Sequence, residues 1–483
     1  MAQTKILSAV TLLAFTSLAS WAAEPEPIPR LDGSTIRPTE IDSTVTRLMR
    51  NAEVPGVGIA IFNHGKITYL KAYGFRDKEH GLPLTADSVM TGASLTKTAF
   101  AYLAMKLVNE RRLDLDKPVE QYFPKPLTEY PRYSDLAGDP RYKLITARML
   151  LSHTAGFPNF RAVNRDRKLN INFDPGSRFA YSGEGIQLLQ LAIETITGRP
   201  LQDLMHEQVF QPLNMTRTSM ITEERFENDY ANAYDEWGRS LGHQSRKTAD
   251  AAGSMQTTLR DVAEFAMAVM QGRGLRKSTR DLMLNPQIRI VSQHEFPSLA
   301  PETTDENKSI RLSYGLGLGL YLSPYGRAFF KEGHDDGFRH YMVVFDKPRD
   351  GIVIMTNSSN GEGIYKEILE TLLRDTFTPI EWEGFAPYNE PAHTEISVGP
   401  EGLERLGGNY ASRLGLALTV VPKNDHLDVL IGGNGHDLFP EGELRFFSKT
   451  LHVITDFEVD SQGKATGLTL HYADGDVMMN RTN

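Results

Sequence analysis

Ser94 and Lys97 sit three positions apart in Ser94-Leu-Thr-Lys97, a spacing at which a hydroxyl and an amine share one face of a helix. Leu95, Ala99, Tyr102, Leu103, Met105 and Leu107 recur with helical spacing toward Arg112, and Leu113-Asp-Leu-Asp-Lys-Pro118 closes the run. The pattern predicts a helix that opens at Ser94, whose amino end favours negative charge on the serine oxygen. The chemistry would be nucleophilic. A serine attacks only when a base takes its proton, and a lysine of ordinary pKa ~10.4 is such a base only when burial or a second cation lowers it to about 7–8. The competing reading is an ordinary helix cap, a place serine favours. The same pair recurs at Ser461-Gln-Gly-Lys464, but in a turn between β runs, where the side chains need not face each other.

A second cation is available in Lys331-Glu-Gly333, which leads through Gly337-Phe338 into a β run at His340. A strand-edge lysine beside the nucleophile would depress the first amine and attract a substrate carboxylate, although Lys331 alone also reads as a surface lysine. A proton shuttle could come from Tyr181-Ser-Gly183 or Tyr230-Ala-Asn232, and a buried phenol needs no catalytic reason, so spacing leaves both open. Tyr181 stands between the turn Asp174-Pro-Gly-Ser177 and a predicted helix from Glu184. His153 reads as structural. His334-Asp-Asp336 has no helical His-x-x-x-His or distant partner set, so no metal and no cofactor is expected. No Gly-x-Ser-x-Gly occurs, which argues against an α/β-hydrolase triad.

These residues need a scaffold that brings distant segments together. With 483 residues, 40% of them hydrophobic and 23% charged, the chain has the composition of a soluble globular protein of about three folding units. The net charge of −9 with no basic run excludes an electrostatic footprint for nucleic acid. Zero cysteines exclude disulfides and a thiolate nucleophile. Val57–Phe62 and Ile67–Tyr73 flank Asn63-His-Gly-Lys66 as a hairpin. Helices are predicted over 184–197, 201–210 and 259–270, then strands over 312–322, 340–345 and 351–356 and a helix over 361–377. Gly315, Gly317 and Gly319 are read as backbone spacing within the first of those strands. Strands at both ends with helices between predict an α/β fold, one antiparallel sheet flanked by helices and interrupted by an all-α region. After a linker at 386–394, residues 395–483 alternate β runs and turns as a small all-β sandwich or barrel.

Ser94-Leu-Thr-Lys97, Tyr181-Ser-Gly183 and Lys331-Glu-Gly333, in that order, resemble the β-lactamase-related serine hydrolases, which include class C β-lactamases, D-Ala-D-Ala carboxypeptidases, D-aminopeptidases and esterases. The framing segments Leu150-Leu-Ser-His-Thr-Ala-Gly156, Phe173-Asp-Pro-Gly176, Pro212-Leu-Asn-Met215 and Tyr314-Gly-Leu-Gly317 extend the likeness over ~40–375. The resemblance selects Tyr181 over Tyr230. It implies an acyl-enzyme on Ser94, proton transfers shared by Lys97 and Tyr181, and an oxyanion hole from the N–H groups of Ser94 and His334. It places Lys331, Gly333 and Gly183 at the substrate and implies a lipocalin-like C-terminal domain.

Two positions depart from the family pattern. Gly183 stands where Asn is common, and Glu332 stands where Thr or Ser is usual, a carboxylate expected to repel a substrate carboxylate. Efficient β-lactamase action is therefore not expected, and ester or peptide hydrolysis gains weight. The alternative is a catalytically silent peptidoglycan- or ligand-binding protein on the same fold. Lys5, the apolar run to Ala19 and Ser20-Trp21-Ala22 have the layout of a signal peptide over 1–22. The expected protein is thus exported, periplasmic or secreted, with residues 23–385 as its hydrolase domain and no membrane span after cleavage. Its expected partner is a small-molecule or peptide substrate, with cell-wall fragments among the candidates.

Overall fold

The computed structural model describes residues 26–164, 166–236, 238–385, 393–412, 416–431, 434–448, 453–472 and 475–482. The expected leader and most of the expected linker lie outside the described residues. Helix α1 (Pro38–Asn51) precedes the hairpin of β1 (Gly56–Asn63) and β2 (Lys66–Asp77). His64 and Gly65 turn it with φ of +51° and +77°, a geometry that matches the twist of the flanking strands. A short β3 (Leu82–Pro83) leads to α2 (Leu95–Asn109). The helical insertion follows, with α3 (Gly183–Thr197) and α4 (Leu259–Gln271) its longest members. Strands then return as β4 (Ile288–Arg289), β5 (Ser313–Tyr314), β6 (Gly319–Ser323), β7 (Gly326–Asp335), β8 (Phe338–Phe345) and β9 (Asp350–Thr356).

One antiparallel sheet joins both ends in the order β4-β5-β6-β7-β8-β9-β1-β2-β3. Its seam is β9 on β1, with Gly351 opposite Phe62 and Thr356 opposite Val57. On one face Phe62, Met342 and Val353 pack with α2 and α4, while on the other Ile61, Val343 and Ile354 pack with α1 and the helical turns over 361–373. Because both faces are covered, β1, β8 and β9 are buried along their whole length and show no in–out alternation.

Two expected elements are corrected. The run 312–322 is not one strand: Gly315 N–H donates to Leu318 O at 2.9 Å, and Gly317 turns the chain at φ +87°. A Cβ on Gly317 would stand 2.2 Å from Ala101 Cβ on α2, so that glycine lets the turn approach the helix behind the site. The helix expected over 361–377 ends at Leu373, where Arg374 takes φ +64°.

Eight described strands from Gly408–Ser412 to Gly475–Thr482 form a closed barrel, sealed where Asn409 pairs with Thr482. Tyr410, Leu418, Val429, Phe446, Phe457 and Leu468 fill its interior. The expected fold class, with a lipocalin-like C-terminal domain, agrees with this architecture. No helix among the described residues is long and apolar enough to cross a membrane.

Candidate active site

Met90–Thr91 pairs with Gln256–Thr257 and delivers the chain to Ser94. Gly92 N–H donates to Met255 O at 2.6 Å, and Met255 N–H donates to Thr96 Oγ1 at 3.1 Å. These clamps hold Ala93 at φ +47°, a left-handed conformation that is uncommon without glycine. Ser94 then opens α2 half-buried. It makes no side-chain capping bond, so the helix-cap reading falls away. Its Oγ lies 2.9 Å from Lys97 Nζ, one turn on.

Lys97 is 1% exposed, and its Nζ is also 2.6 Å from the Ala252 carbonyl oxygen. Burial first, then the Lys331 ammonium, pull this amine down to about 7. In its neutral form it donates an N–H to Ala252 O and turns its lone pair toward the Ser94 O–H. That carbonyl has no sequence signature, and reading motifs could not find it.

Tyr181 lies just before α3, where Ser182 Oγ accepts the Gly185 N–H at 2.9 Å. Lys97 Nζ and Lys331 Nζ stand 5.0 and 4.6 Å from its ring centre. His153 packs against the ring at 4.5 Å and accepts the Ser182 N–H on Nδ1 at 3.2 Å, the structural part expected of it. The phenol faces the Ser94 side chain. Burial, and then the Glu332 carboxylate, raise it well above the usual tyrosine range. Tyr181 therefore keeps its proton at neutral pH, which leaves the base role to Lys97. Tyr230 is engaged elsewhere, accepting the Glu223 N–H at 2.9 Å and stacking on His243.

Lys331 lies on β7 just past Phe330, the last residue of that strand paired with β6, so its edge is open there. Its ammonium pairs with Glu332. The expectation for Glu332 is corrected by this contact: the carboxylate is buried against Lys331 rather than set in the path of a substrate carboxylate. A Cβ on Gly333 would stand 3.0 Å from Gly92 O, so glycine lets the β7 backbone lie against the Ser94 loop. His334 follows with a half-exposed ring, Nδ1 3.4 Å from Glu362 Oε2.

Gly183 has an equally local reason. Its N–H donates to Asn159 O and Oδ1, both at 3.0 Å, and a Cβ would stand 2.9 Å from that carbonyl. The segment around Asn159 takes up the room a larger side chain would need. His340, which motif reading passed over, ties β8 to the strand before Ser94: its Nε2 donates to Thr91 O at 2.7 Å and its Nδ1 accepts the Thr356 N–H at 3.3 Å. Burial lowers it to about 4, so it is neutral in this role.

A sheet flanked by helices, with a serine and a buried lysine at the mouth of one helix, defines a serine-hydrolase type of fold. The family model described as Beta-lactamase matches residues 41–373, and the chain belongs to that family. It is similar to penicillin-binding protein 4* of Bacillus subtilis (strain 168), 24% identical over 81% of this chain and 88% of that protein. Protein flp of Staphylococcus aureus (strain MRSA252) is 23% identical over 66% of this chain and 62% of its own length. Among solved structures, the octameric penicillin-binding protein homologue from Pyrococcus abyssi superposes with a TM-score of 0.57 at 21% identity, covering 91% of this chain and 99% of that one. D-alanine carboxypeptidase AmpC from Burkholderia cenocepacia gives 0.54 at 22% identity, covering 66% and 94%. Both superpositions bear on the fold.

Proposed function

We propose that this chain is an exported serine hydrolase that cleaves an ester or amide bond through an acyl-enzyme on Ser94. The observation that carries the reading is the buried Lys97 amine, 2.9 Å from Ser94 Oγ and lowered to about 7. The neutral amine takes the hydroxyl proton as the oxygen attacks the carbonyl carbon. The N–H groups of Ser94 and His334 receive the developing oxyanion, and two such donors supply several kcal/mol in the transition state. Tyr181, protonated and facing Ser94, passes a proton to the leaving group and recovers it from Lys97. Water then attacks the acyl carbon by the same route in reverse.

Small esters and peptides suit the site better than β-lactams. Lys331, the cation that would meet a substrate carboxylate, is already paired with Glu332, and Gly183 offers no side-chain amide. A fluorophosphonate probe should label the protein covalently, and Ser94→Ala should abolish the label and nitrophenyl-ester hydrolysis together. Labelling retained in Ser94→Ala would overturn the assignment. Peptidoglycan fragments bound tightly without an acyl adduct would favour a silent binding protein instead.

A further inference from the structure

Three glutamates converge in the interior beside Lys331. Glu295 comes from the connection after β4, Glu332 from β7 and Glu383 from the chain beyond Leu373; all are buried, and each offers a carboxylate oxygen within 4.8 Å of the others. The convergence is braced from outside the cluster. Glu295 N–H donates to Trp382 O at 3.0 Å, and Tyr341 donates to Glu383 Oε2 at 2.5 Å. Among the described residues, Glu332 alone of the three has a cation in contact, the Lys331 ammonium. Glu295 Oε2 and Glu383 Oε1 make no hydrogen bond to any described residue. The Tyr314 hydroxyl, 2% exposed as a residue, is likewise unbonded, and the charges that act on it are these three carboxylates. Buried polar groups are rarely left this way, and buried carboxylates without counter-charge are strongly disfavoured.

We propose that Glu295, Glu332 and Glu383, with the Tyr314 hydroxyl, bind one calcium-sized divalent cation. Around such an ion, with oxygens at ~2.3–2.6 Å, opposite ligands stand about 4.6–5.2 Å apart, so a spread of 4.8 Å fits a single ion. An all-oxygen donor set favours calcium, manganese or magnesium over zinc and copper. The charges also close: Lys331 balances Glu332, and the two positive charges of the ion balance Glu295 and Glu383. The ion pins three distant segments behind the open edge of β7, which makes it a structural brace for the strand that carries Lys331.

The test uses the full chain stripped with EDTA and titrated with CaCl2 and MnCl2, read by calorimetry, by manganese spin resonance and by thermal melting. One ion per chain should bind and the melting temperature should climb with ion concentration. Glu295→Gln and Glu383→Gln, which conserve volume, should each weaken binding by about tenfold or more and remove the thermal effect. On the unaltered chain, terbium should give tyrosine-sensitised emission that calcium quenches, a reading that holds even if a variant fails to fold. No saturable binding of any of these ions below about 1 mM, or binding that survives both substitutions, would overturn the site and leave carboxyl groups that share protons.

Discussion

Lys97 is poised near the midpoint of its titration at neutral pH because burial and the Lys331 ammonium both disfavour its charge. If it is the base, kcat/KM for an ester should rise with pH through about 7 and level off above it. Lys331→Met removes the neighbouring cation, makes Lys97 easier to protonate and should move that limb to higher pH. A limb that stays in place would leave Lys331 without an electrostatic part. Gly183 makes a different prediction. Restoring the motif asparagine would drive a Cβ to 2.9 Å from Asn159 O, so Gly183→Asn should lose stability by ~1–3 kcal/mol in urea melts rather than install an amide beside Lys97. A variant as stable as the parent would show that the Asn159 segment yields freely.

Among the buried groups that hold the strands around Ser94 together, His340 ties β8 to the strand before Ser94 in its neutral form and so makes that tie sensitive to pH. Its folded pKa is about 4 against ~6.5 unfolded, so between those values the unfolded chain binds more protons. Its contribution is full above pH 6.5 and falls away as pH drops toward 4, in all on the order of 3 kcal/mol. Urea midpoints at pH 5 and pH 7 should therefore differ more in the parent than in His340→Gln, and equal differences would refute a His340 pKa lowered by burial. Elements with a local period were legible in advance: the β1–β2 hairpin from its Asn-His-Gly-Lys turn, and α2 and α4 from their apolar spacing. The turn at Gly315–Leu318 was not, because Gly317 answers to Ala101 on α2, far earlier in the chain. The Ser94 and Lys97 pair was legible for the reason α2 was. The Ala252 carbonyl and the Thr91–His340 tie depend on tertiary approach, which leaves no trace in spacing.

The barrel and the hydrolase sheet have separate apolar cores, with no buried residue common to both among those described. Calorimetry should resolve two unfolding transitions, and Phe446→Ala, which empties the barrel centre, should cost ~3–5 kcal/mol in one and leave the other in place. A single transition moved as a whole would mean that the two bodies stabilise each other. The sheet itself imposes an order on synthesis. Phe62 meets Gly351 only after roughly 290 further residues have been made, about 15–60 s at ribosomal speeds of 5–20 residues per second. For that interval the first hairpin leaves the ribosome with an apolar flank and nothing to zip against. The fold therefore closes at an interior seam late in translation, and whatever chaperones the nascent chain must shield that flank until its last strand arrives.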